Sequence, residues 1–181
     1  VEDIARKYLG YKTKRNLSLP EMQGVTKDDI QIVSPFVKSS YTWGTTQLNK
    51  RLQPLFNTNG NYNDRFWSGE NYFIKGDRVI HTKLNLKEMQ WYSSYKGGNF
   101  QKIYGYGIAN GEVGKLVDFI HSSKCSFYDE VEDMPDDDFG YPENIRKDEA
   151  FTGYFAVVEY YDYMQGRPFY ILYRALGFDN P

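Results

Sequence analysis

The sequence is short of the residues that build disulfide frameworks, metal sites and membrane spans. It contains one cysteine, Cys125, and two histidines, His81 and His121. A single cysteine excludes an internal disulfide framework and is typical of a protein in a reducing compartment. No apolar run approaches the roughly 20 residues of a membrane span, and the first residues carry no secretory signal pattern. We therefore expect an intracellular protein, cytoplasmic or nuclear, with no membrane partner.

Sequence signals for catalysis are also missing. No Gly-x-x-x-x-Gly-Lys-Ser/Thr loop occurs, and the glycine cluster at 105–107 lacks both the lysine and a following helix. The histidines and Cys125 do not supply the four ligands of a closed zinc site, and His81 is predicted to be structural. A nucleophile pair of His121 and Cys125 would need a helix, whereas their surroundings predict strand and loop. We expect no catalytic residue, no metal ligand and no cofactor site in this chain.

Charge of one sign does not dominate, since the formal net charge is −2. This value excludes a free-standing, strongly basic nucleic-acid binder but allows a local basic face. Acidic residues crowd into 126–149, where a solvated loop is the ordinary interpretation and metal binding the sharper one. The spacing lacks the glycine and terminal Glu of a calcium loop. Because carboxylates repel phosphates, this loop is expected to point away from nucleic acid.

Aromatic residues, by contrast, are abundant at 18% of the chain, with 17 Tyr and 12 Phe. Tyr rings pack while their hydroxyls stay hydrated, which favours β structure and recognition surfaces. Segment 88–104 carries Trp91, Tyr92 and Tyr95 with interleaved lysines. Rings beside cations are the components of a single-strand stacking platform, and equally of a hairpin that packs its own rings. Trp91 and Tyr95 are the candidates for stacking.

Two β-rich segments, 73–82 and 108–119, are the centre of the predicted fold. The first has a Gly-Asp turn before an apolar run, and the second has the Asn110-Gly111 pair, which suits the positive φ values of a tight turn. Alternating residues at 153–161 and 168–174 predict two more antiparallel strands around a turn at 164–167. Together these segments predict a small twisted barrel that the last two strands close.

The preceding part of the chain predicts helices and one strand. Apolar residues at helical spacing in 2–11 and 45–56 predict two amphipathic helices. Between them, the β-branched run at 30–35 predicts a buried parallel strand. Lys38 and Thr42 follow that strand and precede the second helix, where α/β sheets bind ligands, so they are candidates to meet a phosphate. A simply solvated Lys38 is the alternative.

The order of these segments resembles the C-terminal third of superfamily 1 DNA helicases of the RecD-like type. The similarity covers roughly residues 30–120, and short motifs in the family's order carry it: Ile32-Val33-Ser34-Pro35, Gly44, Leu48-Asn49, Leu52-Gln53, Gly76-Asp77-Arg78-Val79, Thr82, Asn85 and Asn110-Gly111-Glu112-Val113-Gly114. Two departures stand out. The family's loop usually has a further glycine and a basic residue at 38–40, and the segments at 86–107 and 126–149 are longer than typical.

The resemblance implies an α+β chain made of a partial RecA-like α/β segment and a small antiparallel SH3-like β-barrel. The RecA-like (2A) segment would span 1–60, and the barrel (2B) 61–175, with inserts near 86–107 and 124–150. Residues 176–181 are expected to be a truncated tail. Since the chain opens in mid-helix without an initiator Met, we expect an excised piece.

The resemblance further implies that the parent protein is an ATP-dependent DNA helicase involved in DNA replication or repair. Single-stranded DNA and the remaining helicase domains would be the partners, and ATP and Mg would bind elsewhere in the parent, so this piece alone would be inactive. The polar residues expected to face the strand suit contacts to a phosphate backbone, and they are Ser34, Lys38, Thr82, Lys83, Asn85 and Asn110.

Two hypotheses from other classes remain open. The chain is alternatively a protein-interaction module that docks a replication or repair protein through the barrel and the acidic loop. A third interpretation, an independent small β enzyme or carbohydrate-binding domain, depends on the aromatic surplus alone.

Overall fold

The computed structural model of the chain describes residues 2–8, 26, 29–37, 42–82, 91–96, 98–103, 108–128, 151–176 and 178–179. Within these ranges, helix α1 is Glu2–Tyr8 and helix α2 is Thr45–Phe56. The strands are β1 Arg65–Ser68, β2 Asn71–Ile74, β3 Arg78–Ile80, β4 Trp91–Lys96, β5 Asn99–Ile103, β6 Val113–His121, β7 Ser126–Tyr128, β8 Tyr154–Asp162, β9 Arg167–Arg174 and β10 Phe178–Asp179. The expected mixture of few helices and mostly antiparallel strands is confirmed.

The chain divides into two compact units, and the first comprises Val1–Gly60 and Ser68–Phe73. Helix α2 has the bounds that its leucine spacing predicted. It buries Leu48, Leu52 and Leu55 against Ala5 of α1. Each fully buried leucine contributes about 1.5–3 kcal/mol. A four-residue cluster of this size, with Ile32 and Phe56 packed beside it, is a small core.

The prediction of a buried strand at 30–35 is wrong, because these residues are not in a strand. They form no ladder, and Val33 is 81% exposed. Ile32 packs against the leucines of α2 while its two neighbours face solvent. A β-branched run buries both faces only when strands flank it, and here only one face of the segment is covered.

The second unit comprises Asn61–Trp67 and Ile74–Pro181 and contains a seven-stranded sheet. Its strand order is β3-β6-β8-β9-β4-β5-β7, with every pairing antiparallel except β5 with β7. Among the described residues, no pairing joins the edge strands β3 and β7. A closed SH3-like barrel therefore stays a prediction.

The β8–β9 hairpin lies in the middle of this sheet. Its turn is at 163–166, one residue earlier than the predicted 164–167, and eight residue pairs from Phe155↔Arg174 to Asp162↔Arg167 hold the strands in register. The hairpin was expected to close a barrel. Instead, β6 pairs with β8 and β4 pairs with β9, so the hairpin is flanked on both sides.

The β4–β5 hairpin turns at Gly98, whose φ is +92°. Segment 86–107 was predicted as an insert, whereas the structure uses β4 and β5 as strands of the sheet. A Cβ at Gly98 would lie 2.1 Å from the carbonyl oxygen of Lys124, and the Gly98 carbonyl accepts a hydrogen bond from Ser126 N at 2.8 Å. This close approach makes glycine necessary and starts the β5–β7 pairing.

Residues 176–181 were predicted as a tail without structure, and this is corrected in part. β10 pairs antiparallel with β1 through Arg65↔Asp179 and Phe66↔Phe178. Two-residue strands carry little local sequence signal, because a period of two needs several residues to be visible.

The main core of the second unit is aromatic and lies on one face of the sheet. Its buried members are Tyr92, Phe100, Ile120, Phe155, Val157 and Leu172. The opposite face is also buried, through residues such as Leu116, Val158 and Ile171. The central strands are therefore covered on both sides, and ligand contacts are confined to the exposed ends and edges.

Candidate nucleic-acid interface

The two β segments that the sequence placed at the centre of the fold pair with each other. β3 and β6 are antiparallel, with Arg78 opposite Lys115 and Ile80 opposite Val113. Beyond β3, His81 N donates to the Glu112 carbonyl at 2.8 Å. The Asn-Gly turn closes this end, since Gly111 has a φ of +95° and its N–H donates to the His81 carbonyl at 2.7 Å.

This turn brings two predicted DNA-contacting residues together. Thr82 follows His81, and Asn110 precedes Gly111, so both lie at the same end of the β3–β6 pair, and both are exposed. They are distant in sequence and neighbours in the fold. The expected convergence of the two segments is confirmed, while the contact of Thr82 and Asn110 with DNA stays a prediction.

Strand alternation adds two cations to this place. Successive strand residues point to opposite faces, and Arg78, Ile80 and Thr82 are exposed while His81 between them is buried. On β6, Val113 and Lys115 are exposed while Gly114 is buried. We call the outward surface formed by these residues the β3–β6 surface; its members are Arg78, Ile80, Thr82, Asn110, Val113 and Lys115.

A network of polar groups behind the β3–β6 surface fixes its backbone. His81 is only 6% exposed, and its Nδ1 lies 2.9 Å from the hydroxyl of Tyr173. That hydroxyl lies 3.0 Å from the hydroxyl of Tyr160. Burial raises the pKa of both tyrosines, so both hydroxyls stay neutral at physiological pH. The hydroxyls of Tyr173 and Tyr160 thus fix the position of the His81 side chain, and Thr82 is the next residue in the chain.

The carboxylates around the β3–β6 surface accept hydrogen bonds from the protein itself. Glu112 accepts from Ala109 N at 3.0 Å, and Glu159 accepts from the Tyr170 hydroxyl at 3.0 Å. Burial, followed by this carboxylate, raises the pKa of Tyr170 to about 12, so the hydroxyl remains a donor. The side chain of Lys115 has no hydrogen bond or ion pair within the described part of the chain, and Glu159 lies opposite Lys115 in the β6–β8 pairing. The β3–β6 surface therefore carries charges of both signs.

Ser34 uses its hydroxyl within the first unit. It donates to the carbonyls of Trp43 and, at 3.1 Å, of Phe36. The same segment is fastened to the start of α2, because Thr45 N donates to the Phe36 carbonyl at 2.8 Å. Ser34 consequently shapes the turn before α2, and its contact with DNA stays a prediction. Lys38, Lys83, Asn85 and the side chain of Trp91 lie outside the described residues.

Tyr95 is half-buried, and its ring is already in use. It stacks on Phe100 with ring centroids 5.2 Å apart, and its hydroxyl donates to a carboxylate oxygen of Asp118. Burial, and then the Asp118 hydrogen bond, raise the pKa of Tyr95. A ring engaged in this way is poorly placed to stack on a nucleobase.

No catalytic arrangement emerges among the described residues. Cys125 is half-buried, burial raises its pKa to about 11, and its Sγ lies 3.6 Å from the His121 carbonyl. A protonated thiol facing a carbonyl is a poor nucleophile. Within the same residues, no three His, Cys, Asp or Glu side chains come together as a possible metal site, and neither helix is long and apolar enough to cross a membrane.

Sequence reasoning missed Arg78 and Lys115 as binding candidates. The sequence did contain a signal, because side chains an even number of residues apart on a strand lie on the same face. Arg78 is four residues before Thr82, and Lys115 is four residues after Gly111. The pairing of Arg78 with Lys115 was not visible, since it depends on a register set by residues distant in sequence. Comparison of the chain with family models, with curated proteins and with solved structures gives no match.

Proposed function

We propose that the chain is part of an ATP-dependent DNA helicase of the RecD-like type and contributes single-stranded DNA binding. The β3–β6 pairing is the observation that supports this most. It gathers Thr82 and Asn110 at one exposed end and sets Arg78 beside Lys115 on the outward face. Hydroxyl, amide and cationic groups on one surface are the donors that proteins use on phosphate backbones.

The proposal assigns different roles to the residues of the surface. Lys115 and Arg78 neutralise phosphates, which supplies a salt-dependent share of the affinity. Thr82 and Asn110 donate hydrogen bonds to phosphate or sugar oxygens and fix the position of the strand. ATP and Mg would bind in other domains of the parent protein, and this chain would only hold the strand during translocation.

The proposed architecture has unequal support. The antiparallel β3, β6, β8 and β9 ladder suits an SH3-like barrel. The partial RecA-like segment rests on α2 and on the motif order, because residues 30–34 form no ladder. An interaction module using the acidic loop has no supporting observation, since 129–150 lie outside the described residues.

The experiment is a titration of a fluorescently labelled oligo-dT with the chain, read by anisotropy at several salt concentrations. We expect binding at about 50 mM salt that weakens as salt rises. Lys115→Gln should weaken binding and make the slope of log K against log salt shallower by about 0.7, the share of one single-strand phosphate contact.

Lys124→Gln is the matched control. Lys124 is exposed and follows the other end of β6, so the same loss of one charge occurs away from the β3–β6 surface. It should leave affinity and slope close to those of the unsubstituted chain. Absence of binding at low salt, or equal effects of the two substitutions, would contradict the proposal.

A further inference from the structure

One end of the seven-stranded sheet has a row of exposed apolar side chains. Four neighbouring strands contribute one residue each, and we call the set the apolar row: Ile80 of β3, Val113 of β6, Tyr161 of β8 and Pro168 of β9. Ile80, Val113 and Tyr161 are 55%, 48% and 50% exposed, and Pro168 is exposed as well. Contiguous exposed apolar side chains are typical of a surface that another molecule covers.

The strand pairings place these four residues side by side. Ile80 pairs with Val113, and Tyr161 pairs with Pro168. Between the two halves, the β6–β8 register sets Lys115 opposite Glu159, so two residues further along Val113 lies across from Tyr161. A Cβ on Gly114 would lie 2.7 Å from Tyr160, which agrees with this continuation of the register. Because paired residues share a face of the sheet, the row is continuous.

The next row on the same face carries charges of both signs. It consists of Arg78, Lys115, Glu159 and Tyr170, again one residue from each of the four strands. The cation of Lys115 and the carboxylate of Glu159 occupy its two central positions. The Glu159 carboxylate accepts from the Tyr170 hydroxyl at 3.0 Å, which fixes its position. A surface with this order of charges suits a partner that presents a carboxylate to Lys115 and a cation to Glu159.

A second copy of the chain presents that order. A two-fold axis parallel to the strands, lying between β6 and β8, sets two copies face to face and exchanges β6 with β8 and β3 with β9. Lys115 then faces Glu159 of the second copy. In the apolar row, Val113 faces Tyr161 of the second copy, and Ile80 faces its Pro168. Each of these contacts occurs twice, as in the isologous interface of a symmetric dimer.

Two further carboxylates near the apolar row are bonded within their own turns. Glu112 accepts from Ala109 N at 3.0 Å, and Asp162 Oδ1 accepts from Met164 N at 2.8 Å. Each lies one residue along the chain from a member of the apolar row, so alternation directs it toward the other face of the sheet. They do not disturb the match between Lys115 and Glu159.

We propose that the apolar row and the charged row beside it bind a second copy of this chain. Burial of the apolar side chains provides the attraction. The charges fix the alignment, because an axis placed on β6 would set Lys115 against Lys115, and one placed on β8 would set Glu159 against Glu159.

The two rows hold far fewer than the roughly 20–30 residues a side of a standard interface, so association should be weak and reversible. This inference goes beyond the proposed function and does not depend on it. A DNA strand and a second copy would cover the same surface, so self-association is measured without DNA.

The test is a charge exchange followed by sedimentation equilibrium, which gives the mean mass at each protein concentration. The mean mass of the unsubstituted chain should rise from that of one chain toward that of two. Lys115→Glu and Glu159→Lys, each alone, should weaken dimerisation about tenfold or more, because each sets like charges against one another. An equimolar mixture of the two variants should regain the dimer, since every facing pair is again a cation and a carboxylate.

The mixture separates contacts between chains from effects within one chain. Lys115 and Glu159 are also neighbours in the same sheet, so circular dichroism must first show that each variant is folded. Mixing changes nothing inside either chain, and recovery therefore reports the contact between them. The double variant Lys115→Glu with Glu159→Lys should dimerise as the unsubstituted chain does.

Tyr161→Asp provides a second disruption that leaves the ion pairs in place. It puts a carboxylate into the centre of the apolar row and should also weaken dimerisation about tenfold or more. Tyr128→Asp is the matched control, because Tyr128 is 56% exposed and lies on β7, the opposite edge strand. It should dimerise as the unsubstituted chain does.

Three results would overturn the inference. A chain that stays monomeric at every concentration has no such contact, and oligo-dT binding is then unaffected by the loss of this proposal. A dimer that persists in Lys115→Glu, Glu159→Lys and Tyr161→Asp forms through another surface. Folded single variants whose mixture stays monomeric exclude the facing of Lys115 with Glu159.

Discussion

One hairpin of the sheet, β4–β5, and the turn of another, β8–β9, use their aromatic rings in opposite ways. In β4–β5, Tyr92 and Phe100 are fully buried, and Phe127 contacts both rings. At the turn of β8–β9, Tyr161 and Tyr163 contact each other and are 50% and 88% exposed. The first hairpin is the ring-packing alternative that the sequence left open for 88–104. Aromatic content therefore indicates a recognition surface only when the partners of each ring are known.

The largest expected effect is on the packed hairpin. Phe100→Ala should lower the free energy of unfolding by about 3–5 kcal/mol, because it opens a cavity among buried rings. Urea unfolding followed by circular dichroism measures this change.

Tyr163→Ala is the counterpart in the exposed turn of β8–β9 and should change the free energy of unfolding by less than about 0.5 kcal/mol. If the two substitutions had similar effects, the contrast between the hairpins would be lost.

An effect smaller than that of Phe100→Ala is expected where β6 lies against β8. A Cβ on Gly114 would lie 2.7 Å from Tyr160 and from Val158, and 2.8 Å from the Glu159 carbonyl. Gly114→Ala should therefore cost about 1–3 kcal/mol of stability, since a packed face has to move. Thermal unfolding measures it.

Val113→Ala, at the neighbouring exposed position, should cost less than Gly114→Ala. Equal losses of stability for the two substitutions would mean that Gly114 is not closely packed against Val158 and Tyr160 of β8.

A pH dependence is expected beside the packed hairpin, at Cys125. Cys125 packs against the aromatic core, and burial raises its pKa from 9.0 to about 11. Below pH 9 the thiol is protonated in both the folded and the unfolded chain. Between pH 9 and 11 the unfolded chain loses this proton first, so the free energy of unfolding should fall as pH rises.

Cys125→Ala removes this contribution and should make the fall between these pH values shallower. The measurement is urea unfolding at a series of alkaline pH values. Identical pH slopes for the two proteins would mean that the thiol is hydrated, and that Cys125 does not pack against the aromatic core.

Local signals predicted the elements well. Helix α2 and the turn at Asn110-Gly111 stand where the sequence placed them, and the turn at 163–166 lies one residue before the predicted position. These features depend on residues close in sequence, through helical periodicity and the φ preference of glycine. The convergence of Thr82 and Asn110 followed from one such turn.

Pairings between distant segments were less accessible to sequence reasoning. Nothing local in β4 indicates that it pairs with β9, so 86–107 was interpreted as an insert. The β-branched run at 30–35 suggested a buried strand, but burial depends on neighbours that a local pattern does not contain. For the same reason the sequence did not show that Tyr95 contacts Phe100 and Asp118.

The position of the β8–β9 hairpin in the strand order has a consequence for biosynthesis. A ribosome delivers β3 to β7 before the two strands that β6 and β4 pair with exist. Until residue 174 has emerged, those earlier strands have unsatisfied backbone groups that invite association with other chains. The nascent polypeptide should consequently depend on chaperones, and a ribosome that stalls before β8 should release a product that aggregates.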